Sequence, residues 1–208
     1  MPTWLYHITH VQNLASITSQ SKLCCDRLLD EHGLARIEIA YQTLKAKRSG
    51  RQVPLPPGGA LDDYVPFYFA PRSPMLFAIS RDQIPGYNEG QRSVVHLVLA
   101  AEDVVALNLP FVFTDGHAYM EISSYFNNLA DLSKIDWTIM KELYWTDTPE
   151  DGDRRRRRQA EFLVYREVPW SLVRGIGVID NQIAEEVQKV IKDVNHQPKV
   201  VIRPQWYY

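Results

Sequence analysis

Short runs of β-branched and aromatic residues recur along the chain and predict strands. Runs of about four to eight such residues, bounded by turn-forming residues, are typical of strands. We expect strands at residues 4–9, 64–70, 93–100, 111–114, 161–168, 174–179 and 200–203. The first two runs lead directly into predicted helices, so the chain twice passes from a strand into a helix.

Apolar residues at helical spacing predict the helices. Thr9 and Gln12 match a capping box that would open the first helix, and Ser73 followed by Pro74 suits the N-cap and first turn of another. Further helices are expected within 30–47, over much of 119–143 and along 183–194, with a loop rich in Gly and Pro at 48–59.

The order of these elements favours an α+β fold. The strands cluster without the regular alternation with helices that a doubly wound sheet requires, and no internal repeat is visible. With 208 residues, 45% of them hydrophobic, the chain can bury a substantial core. We therefore expect one domain over residues 1–208.

Composition narrows the range of partners. The formal net charge of -2 gives no overall attraction to nucleic acid, so such a partner must meet a local patch. The sequence contains no targeting segment and no run of about 18 apolar residues, which predicts a soluble cytoplasmic protein with no membrane partner. Cys24 and Cys25 are adjacent, so we expect reduced thiols and no metal-binding spacing.

Common catalytic motifs are absent from the sequence. It contains no glycine-rich phosphate loop, no His-Glu-x-x-His, no Cys-x-x-Cys and no Gly-x-Ser-x-Gly. Metal-dependent and P-loop chemistry are therefore disfavoured. Three local features remain as candidates for chemistry, and each of them lies at a predicted strand.

The first feature is the pair His7 and Thr9. Strand alternation places both on one face, where they could hold ribose hydroxyls and a carboxamide. Alternatively, His7 is a structural histidine that hydrogen-bonds a neighbouring loop.

The second feature is the aromatic strand that contains Tyr68 and Phe69 and ends shortly before Ser73. Aromatic surface beside a hydroxyl and a helix N-terminus suits a flat heteroaromatic ring and a phosphate. Aromatic residues in strands are also common in cores. Alternation would send Phe67 and Phe69 to the face opposite Tyr68, and Phe77 is a further candidate for stacking on the ring.

The third feature is Glu161, which opens a strongly β-prone strand just after five arginines at 154–158. A carboxylate there could accept a hydrogen bond from a ribose hydroxyl and stabilise positive charge on a sugar as its leaving group departs. The alternative is an exposed glutamate at a strand edge, paired with an arginine.

Four segments in this order resemble the DarT family of DNA ADP-ribosyltransferase toxins. They are Tyr-His-Ile-Thr-His at 6–10, Val-Pro-Phe-Tyr-Phe-Ala-Pro-Arg-Ser-Pro-Met-Leu at 65–76, Asp-Gly-His-Ala at 115–118 and Gln-Ala-Glu-Phe-Leu-Val at 159–164. The resemblance implies a split β-sheet core with flanking helices, as in other ADP-ribosyltransferases. His7, Tyr68 and Glu161 match the histidine, tyrosine and glutamate of that clan.

The resemblance also implies an activity. It predicts an NAD-dependent glycosyltransferase (a pentosyltransferase) that moves ADP-ribose to thymidine in single-stranded DNA and releases nicotinamide. NAD is the co-substrate, and no metal is required. The protein would be the toxin of a toxin–antitoxin pair, with a macrodomain antitoxin as the partner that reverses the modification.

Further residues receive roles on this basis. We expect Glu161 and Arg51 to be catalytic. Arg51 is chosen because a cation near the site could stabilise a thymine anion or the diphosphate. His7, Thr9, Tyr68, Phe69 and Ser73 are expected to bind NAD. The expected contacts to DNA are His117, Arg154, Arg155, Arg156, Arg157 and Arg158.

Each of these roles has a plainer alternative. Arg51 suits a solvated loop, His117 suits a turn that Asp115 and Gly116 already explain, and charge runs are often only solvated. For the whole chain, the alternatives are an enzyme of the same fold acting on RNA or protein, including an RNA 2′-phosphotransferase, and a non-catalytic nucleic-acid-binding module. If Glu161 lies at an exposed strand edge, its replacement by alanine should abolish transfer and leave the fold intact.

Overall fold

The structure, a computed structural model of the chain, describes residues 2–208. The strands are Trp4–His10 (β1), Lys22–Cys24 (β2), Tyr64–Tyr68 (β3), Val94–Ala100 (β4), Phe111–His117 (β5), Tyr125–Phe126 (β6), Ala160–Tyr165 (β7), Glu167–Pro169 (β8), Gly175–Val178 (β9) and Lys199–Ile202 (β10). The α-helices are Asn13–Ser19 (α1), Asp26–Glu31 (α2), Gln42–Ser49 (α3), Pro74–Ser80 (α4), Ala101–Ala106 (α5), Trp137–Lys141 (α6), Arg154–Arg158 (α7) and Asn181–Ile191 (α8). Short 3-10 helices occupy Leu61–Asp63, Leu129–Lys134, Trp170–Leu172 and Pro204–Trp206.

Eight of the strands form one sheet in the order β10-β9-β4-β1-β3-β7-β5-β6, and β2 pairs with β8 in a separate two-stranded sheet. Within residues 2–208, β9 and β10 run parallel and the other neighbouring strands run antiparallel. Helices cover the large sheet without regular strand–helix alternation. This arrangement confirms the predicted α+β class.

The large sheet opens between β1 and β3. These strands meet at the register pair Tyr6 and Tyr68, whereas β1 pairs with β4 over seven positions. On its other side, β3 pairs with β7, and Tyr68 lies opposite Glu161. The split therefore lies next to the line formed by Tyr6, Tyr68 and Glu161.

The central strand β4 is buried at all seven positions, as expected for a strand covered on both faces. Val95, Leu97 and Leu99 belong to the main core, which also contains apolar residues of α1 and α8. A second cluster contains Val94 together with Leu76 and other residues of α4. These two clusters fix the strands that border the split.

Two helix starts test the capping predictions. Ser73 is the N-cap of α4 and its hydroxyl accepts a hydrogen bond from the Leu76 amide, which confirms that prediction. The capping box at Thr9 is wrong, because the N-cap of α1 is Gln12 and its side chain makes no capping hydrogen bond.

The two long stretches predicted to be helical are only partly helical in the structure. Residues 30–47 contain the end of α2, an irregular segment and most of α3, and residues 119–143 contain only the short α6 as α-helix. The five arginines, for which no helix was predicted, form α7. No helix within residues 2–208 has the length and apolar character that a membrane crossing requires.

Candidate active site

A cleft of about 970 Å³ opens at the split in the sheet. Of the residues predicted from sequence, it brings together His7, Thr9, Tyr68, His117, Arg155, Arg156 and Glu161. The predicted residues that do not line it are Arg51, Phe69, Ser73, Arg154, Arg157 and Arg158. Within residues 2–208, no cluster of three or more His, Cys, Asp or Glu side chains has the arrangement of a metal site.

Glu161 lies at the floor of this cleft and is 3% exposed. Its Oε2 accepts a hydrogen bond from Nη1 of Arg48 at 2.9 Å, and its Oε1 accepts one from the Ala118 amide at 3.1 Å. Hydrogen bonds to charged groups are stronger than neutral ones, and a buried carboxylate requires them. Glu161 is therefore a fixed internal anion, and not the exposed strand-edge glutamate of the alternative interpretation.

Arg48 was not predicted from sequence. It lies on α3, and its Nη2 is buried without a hydrogen-bond partner in the structure. Burial opposes the charged guanidinium, but the attraction of Glu161 outweighs burial and raises the Arg48 pKa. Arg48 lines the cleft, so this charged group, with one N–H that Glu161 does not use, borders the space for a ligand.

Arg51 is not among the residues that line the cleft, and its predicted catalytic role stays a prediction. Its Nη1 lies 4.0 Å from Oε1 of the exposed Glu121. Arg48 occupies the position beside Glu161 instead, because it belongs to the face of α3 that borders the cleft. Tyr41, Leu44, Lys45 and Arg48, which all line the cleft, follow the spacing of one helical face. That spacing is the signal that could have identified Arg48.

Tyr68 and Glu161 are cross-strand partners, so their side chains share one face of the sheet. Burial and, to a smaller extent, the charge of Glu161 raise the Tyr68 pKa. The phenol is therefore neutral at physiological pH. It borders the cleft as a flat surface with a polar end.

His7 faces the cleft from the other side of the split, and its orientation is fixed by one hydrogen bond. Its Nδ1 lies 2.8 Å from the Pro66 carbonyl oxygen. Since a carbonyl oxygen only accepts, Nδ1 carries the proton and Nε2 holds a free lone pair. Burial lowers the His7 pKa, which keeps the ring neutral. His7 can accept a hydrogen bond from a ligand hydroxyl.

Thr9 lines the cleft but its hydroxyl already has a partner. Oγ1 accepts a hydrogen bond from Nδ2 of Asn13 at 3.1 Å. The same amide group of Asn13 donates to the Ile37 carbonyl at 2.9 Å, while its Oδ1 accepts from the Ile37 amide at 2.8 Å. Asn13 thus ties β1 to the irregular segment before α3, a role that the sequence did not indicate.

Phe69 and Ser73 lie outside the cleft, which corrects their predicted contact with NAD. Phe69 is 5% exposed and packs edge-on against Phe113, Trp137 and Phe162. Strand alternation explains this placement, because it turns Phe69 away from the face of Tyr68. The hydroxyl of Ser73 is occupied in capping α4.

His117 lies above Glu161, with its Nδ1 3.8 Å from Oε1 of that carboxylate. Nδ1 accepts a hydrogen bond from the Tyr119 amide, so Nε2 carries the proton of the neutral ring. Burial lowers the His117 pKa. A Cβ at the preceding Gly116 would lie too close to the side chain of Arg156, so a larger residue there would have to displace that side chain.

Most of the arginine run is engaged within the protein, which corrects the prediction of a continuous DNA contact. Arg158 is 3% exposed and donates to main-chain carbonyls, and Arg154 donates to the carbonyls of residues 144 and 146. Arg156 pairs with Asp153 and Asp115, and Arg157 pairs with Asp151 and Asp136.

Arg155 differs from its neighbours in the run. Its side chain is exposed and lines the cleft, and it forms no ion pair with another residue of the range 2–208. The cation that remains free to meet a phosphate at the mouth of the cleft is therefore Arg155.

The chain is similar in sequence to known DNA ADP-ribosyl transferases. A sequence model described as "ssDNA thymidine ADP-ribosyltransferase, DarT" matches residues 6–208. A DNA ADP-ribosyl transferase from Thermus sp. (strain 2.9) is 43% identical over 100% of this chain and 97% of its own length. A fusion of a DNA ADP-ribosyl transferase with a DNA ADP-ribosyl glycohydrolase from Thermosipho africanus is 25% identical over 92% of this chain and 46% of the fusion.

Solved structures of DarT from Thermus sp. 2.9 have the same fold. The complex with ADP-ribosylated ssDNA superposes with a TM-score of 0.93 at 42% identity and covers 100% of this chain and 97% of that one. The complex with NAD+ gives a TM-score of 0.87 at 40% identity, covering 100% and 98%. These matches confirm the ADP-ribosyltransferase-like fold predicted from the four sequence segments.

Proposed function

The chain belongs to the DarT family of ssDNA thymidine ADP-ribosyltransferases, and we propose that it transfers ADP-ribose from NAD+ to thymidine in single-stranded DNA. The observation that carries this proposal is the buried Glu161 carboxylate, held at the floor of an open cleft by Arg48 and the Ala118 amide. The resemblance to DarT with bound NAD+ and with ADP-ribosylated ssDNA supports both substrates.

Cleavage of NAD+ needs orientation and nearby negative charge. The bond between nicotinamide and ribose C1′ breaks, its electron pair leaves with nicotinamide, and positive charge builds on the sugar. Glu161 supplies a fixed anion for that charge and an acceptor for a ribose hydroxyl. His7, with its free Nε2 lone pair, accepts a hydrogen bond from a ribose hydroxyl, and Tyr68 borders the nicotinamide ring.

The acceptor atom is N3 of thymine, which bonds to C1′ while its proton passes to water, so that the net reaction releases nicotinamide and one proton. Negative charge then spreads onto the two carbonyl oxygens of the base. The unpaired Nη2 of Arg48 is a charged donor suited to such an oxygen, and Nε2–H of His117 is a neutral one. Arg48 can therefore fill the role that the sequence assigned to Arg51.

DNA reaches this centre along the rim of the cleft. Arg155 offers a phosphate contact there, while the other four arginines of α7 maintain the local structure. One exposed cation gives limited affinity, so we expect binding to depend on the thymine pocket as well as on charge.

A reversing partner follows from the chemistry of the product. An enzyme that modifies DNA in its own cell acts as a toxin unless the modification is removed, and a relative from Thermosipho africanus is fused to a DNA ADP-ribosyl glycohydrolase. The proposed partner is a macrodomain antitoxin with glycohydrolase activity. We further propose that the chain forms one domain and works in the cytoplasm.

A comparison of acceptors in separate reactions tests the proposed function. The protein is incubated with labelled NAD+ and, in separate reactions, with thymidine-containing single-stranded DNA, the same DNA without thymidine, RNA, or protein. Label on the thymidine-containing DNA alone is expected. Label on RNA or protein instead would favour another acceptor class, and no label with retained DNA binding would favour a non-catalytic binding module.

A further inference from the structure

The wall of the cleft that contains Arg48 is a segment held to the rest of the protein by two kinds of contact, apolar and ionic. We call residues 34–49 the strap. In its first half, Ile37, Ile39 and Tyr41 alternate along an extended chain and pack against the apolar cluster of α4. Asn13 also holds the main chain of Ile37 through two hydrogen bonds. This half of the strap is fixed to the core.

The second half of the strap is α3, and it has no buried residue. Helices of globular proteins usually gain their stability from an apolar face against the core. An isolated helix of this length is not stable in water, so α3 requires other contacts to stay in place. It lies against the 3-10 helix Leu61–Asp63, and its contacts toward α2 and the first half of the strap are ionic.

Lys45 is the centre of those contacts. Its Nζ lies 2.9 Å from Oδ1 of Asp26, which is in the first turn of α2, and it also pairs with Glu38 of the strap. The same two carboxylates face Arg36, whose Nη2 lies 3.5 Å from Asp26 and whose Nε lies 3.4 Å from Glu38. Asp26, Arg36, Glu38 and Lys45 form what we call the strap network.

The network is well shielded for a charged cluster. The Lys45 side chain is 15% exposed and that of Arg36 is 22% exposed. Networks of several partly buried charges couple more strongly than isolated surface pairs. Lys45 also lies three residues before Arg48, so both side chains are on one face of α3, and both line the cleft.

We propose that the strap network, through the Asp26–Lys45 pair, positions α3 and the side chains with which it lines the cleft, and thereby sets the affinity for NAD+. Asp26 and Lys45 are positioning residues in this arrangement, since they act through the helix that they hold. The inference rests on the proposed function in so far as the ligand is NAD+.

Two direct roles compete with positioning, and each predicts a different result. If Lys45 binds the diphosphate of NAD+ itself, removal of the competing Asp26 charge should tighten binding. If Asp26 binds a ribose hydroxyl and Lys45 acts independently, the effects of the two substitutions should add. A positioning pair instead weakens binding when either partner is lost, and the second loss adds little.

Calorimetric titration with carba-NAD+ separates these outcomes, because this analogue cannot react. The proteins are the unchanged chain, Asp26→Asn, Lys45→Met and the double variant. For positioning, each single substitution should raise Kd by about three- to ten-fold, and the double variant should match the singles within about two-fold. Tighter binding by Asp26→Asn, additive losses, or unchanged Kd values would each overturn the proposal.

Controls exclude effects of net charge and of unfolding. Lys189→Met removes the same charge from the exposed side of α8 and should leave Kd unchanged. Lys45→Arg keeps the charge and should retain most of the affinity, whereas equal weakening in Lys45→Arg and Lys45→Met would contradict an ionic role. Failure of the unchanged protein to modify thymidine would contradict the proposed function without affecting this titration, which needs no DNA.

Discussion

Nη1 of Arg48 lies 2.9 Å from Oε2 of Glu161, although the two residues are 113 positions apart in the chain. The pair joins a helix that has no buried residue to the carboxylate at the floor of the cleft. Nη2 of Arg48 is unpaired, which underlies our proposal that the same guanidinium contacts both Glu161 and the bound base. The consequences of this pair can be measured.

Replacement of Glu161 by glutamine should abolish transfer and also destabilise the protein. The amide can keep a hydrogen bond to Ala118, but it removes the anion that stabilises the sugar and leaves Arg48 as a buried unpaired cation. Loss of one partner from a buried ion pair costs about 3 kcal/mol. The measurements are product formation and chemical denaturation.

This expectation differs from the sequence-based one, in which loss of Glu161 left the fold intact. That expectation assumed an exposed strand edge, and the 3% exposure of Glu161 shows that the assumption is wrong. Unchanged stability of Glu161→Gln would argue against a charged pair with Arg48. Substantial transfer by the variant would remove Glu161 from the catalytic role.

Arg48 and Arg51 can be distinguished by matched substitutions. Arg48→Met should reduce the rate of transfer by about a hundred-fold or more, as is typical when a donor to a developing anion is lost. Arg51→Met removes the same charge from a partly exposed residue that does not line the cleft, so it should retain much more activity than Arg48→Met.

The variant Arg48→Lys controls for a loss of activity caused by misfolding. It keeps the positive charge beside Glu161, so the fold should be preserved, but a single ammonium cannot match the two-sided geometry of the guanidinium. We expect a stable protein with low activity. Equal loss of activity in the Arg51 and Arg48 variants would contradict the assignment to Arg48.

The arginine helix α7 gives a test of DNA binding. Arg155→Gln should weaken binding to single-stranded DNA and reduce the slope of log K against log salt by about 0.7, the value for one phosphate contact. Arg157→Gln changes the net charge equally but breaks pairs with Asp151 and Asp136. It should lower thermal stability and leave the salt slope unchanged. The reverse pattern would place the DNA contact at Arg157.

His96 makes stability depend on pH. Burial is the main cause that lowers its pKa to about 4, although hydrogen bonds to main-chain carbonyls oppose the shift. In the unfolded chain the pKa is about 6.5. Between these values the unfolded state binds the extra proton, so the free energy of unfolding falls as pH falls from about 6.5 toward 4. Between pH 7 and 5 the loss from this residue is about 2 kcal/mol.

Denaturation at pH 7 and pH 5 tests this behaviour, with His96→Gln as the reference. The glutamine variant should be less stable at pH 7, because it disturbs the contacts with Pro71 and Tyr207. Its stability should nevertheless change less between the two pH values. A pH dependence as steep as that of the unchanged protein would mean that His96 does not titrate as described.

The strands were largely predictable because their signal is local. Runs of β-branched and aromatic residues gave β1, β3, β4, β9 and β10 close to their observed bounds, whereas the run predicted at 161–168 covers most of β7 and part of β8, which belong to different sheets. The strap and the region between β5 and β7 were predicted poorly, since their conformation depends on distant partners. Lys45, for example, meets Asp26 of another helix.

The site was predictable where strand register decides placement. His7, Tyr68 and Glu161 follow from motifs on strands that pair with each other or with a common neighbour. Arg48 was missed because its partner lies far away in sequence. The arginine run was overvalued for the same reason: Asp115 and Asp136, which neutralise parts of it, precede it by about twenty or more residues in the chain.

Mass spectrometry of single-stranded oligonucleotides that contain one thymidine tests most directly whether the cleft around Glu161 modifies that base. With NAD+ and the unchanged protein, the oligonucleotide should gain the mass of one ADP-ribosyl group. An otherwise identical oligonucleotide with N3-methylthymidine should gain nothing, because its nucleophilic nitrogen is blocked. Modification of both oligonucleotides, or undiminished modification of the first by Glu161→Gln, would contradict the proposed reaction centre.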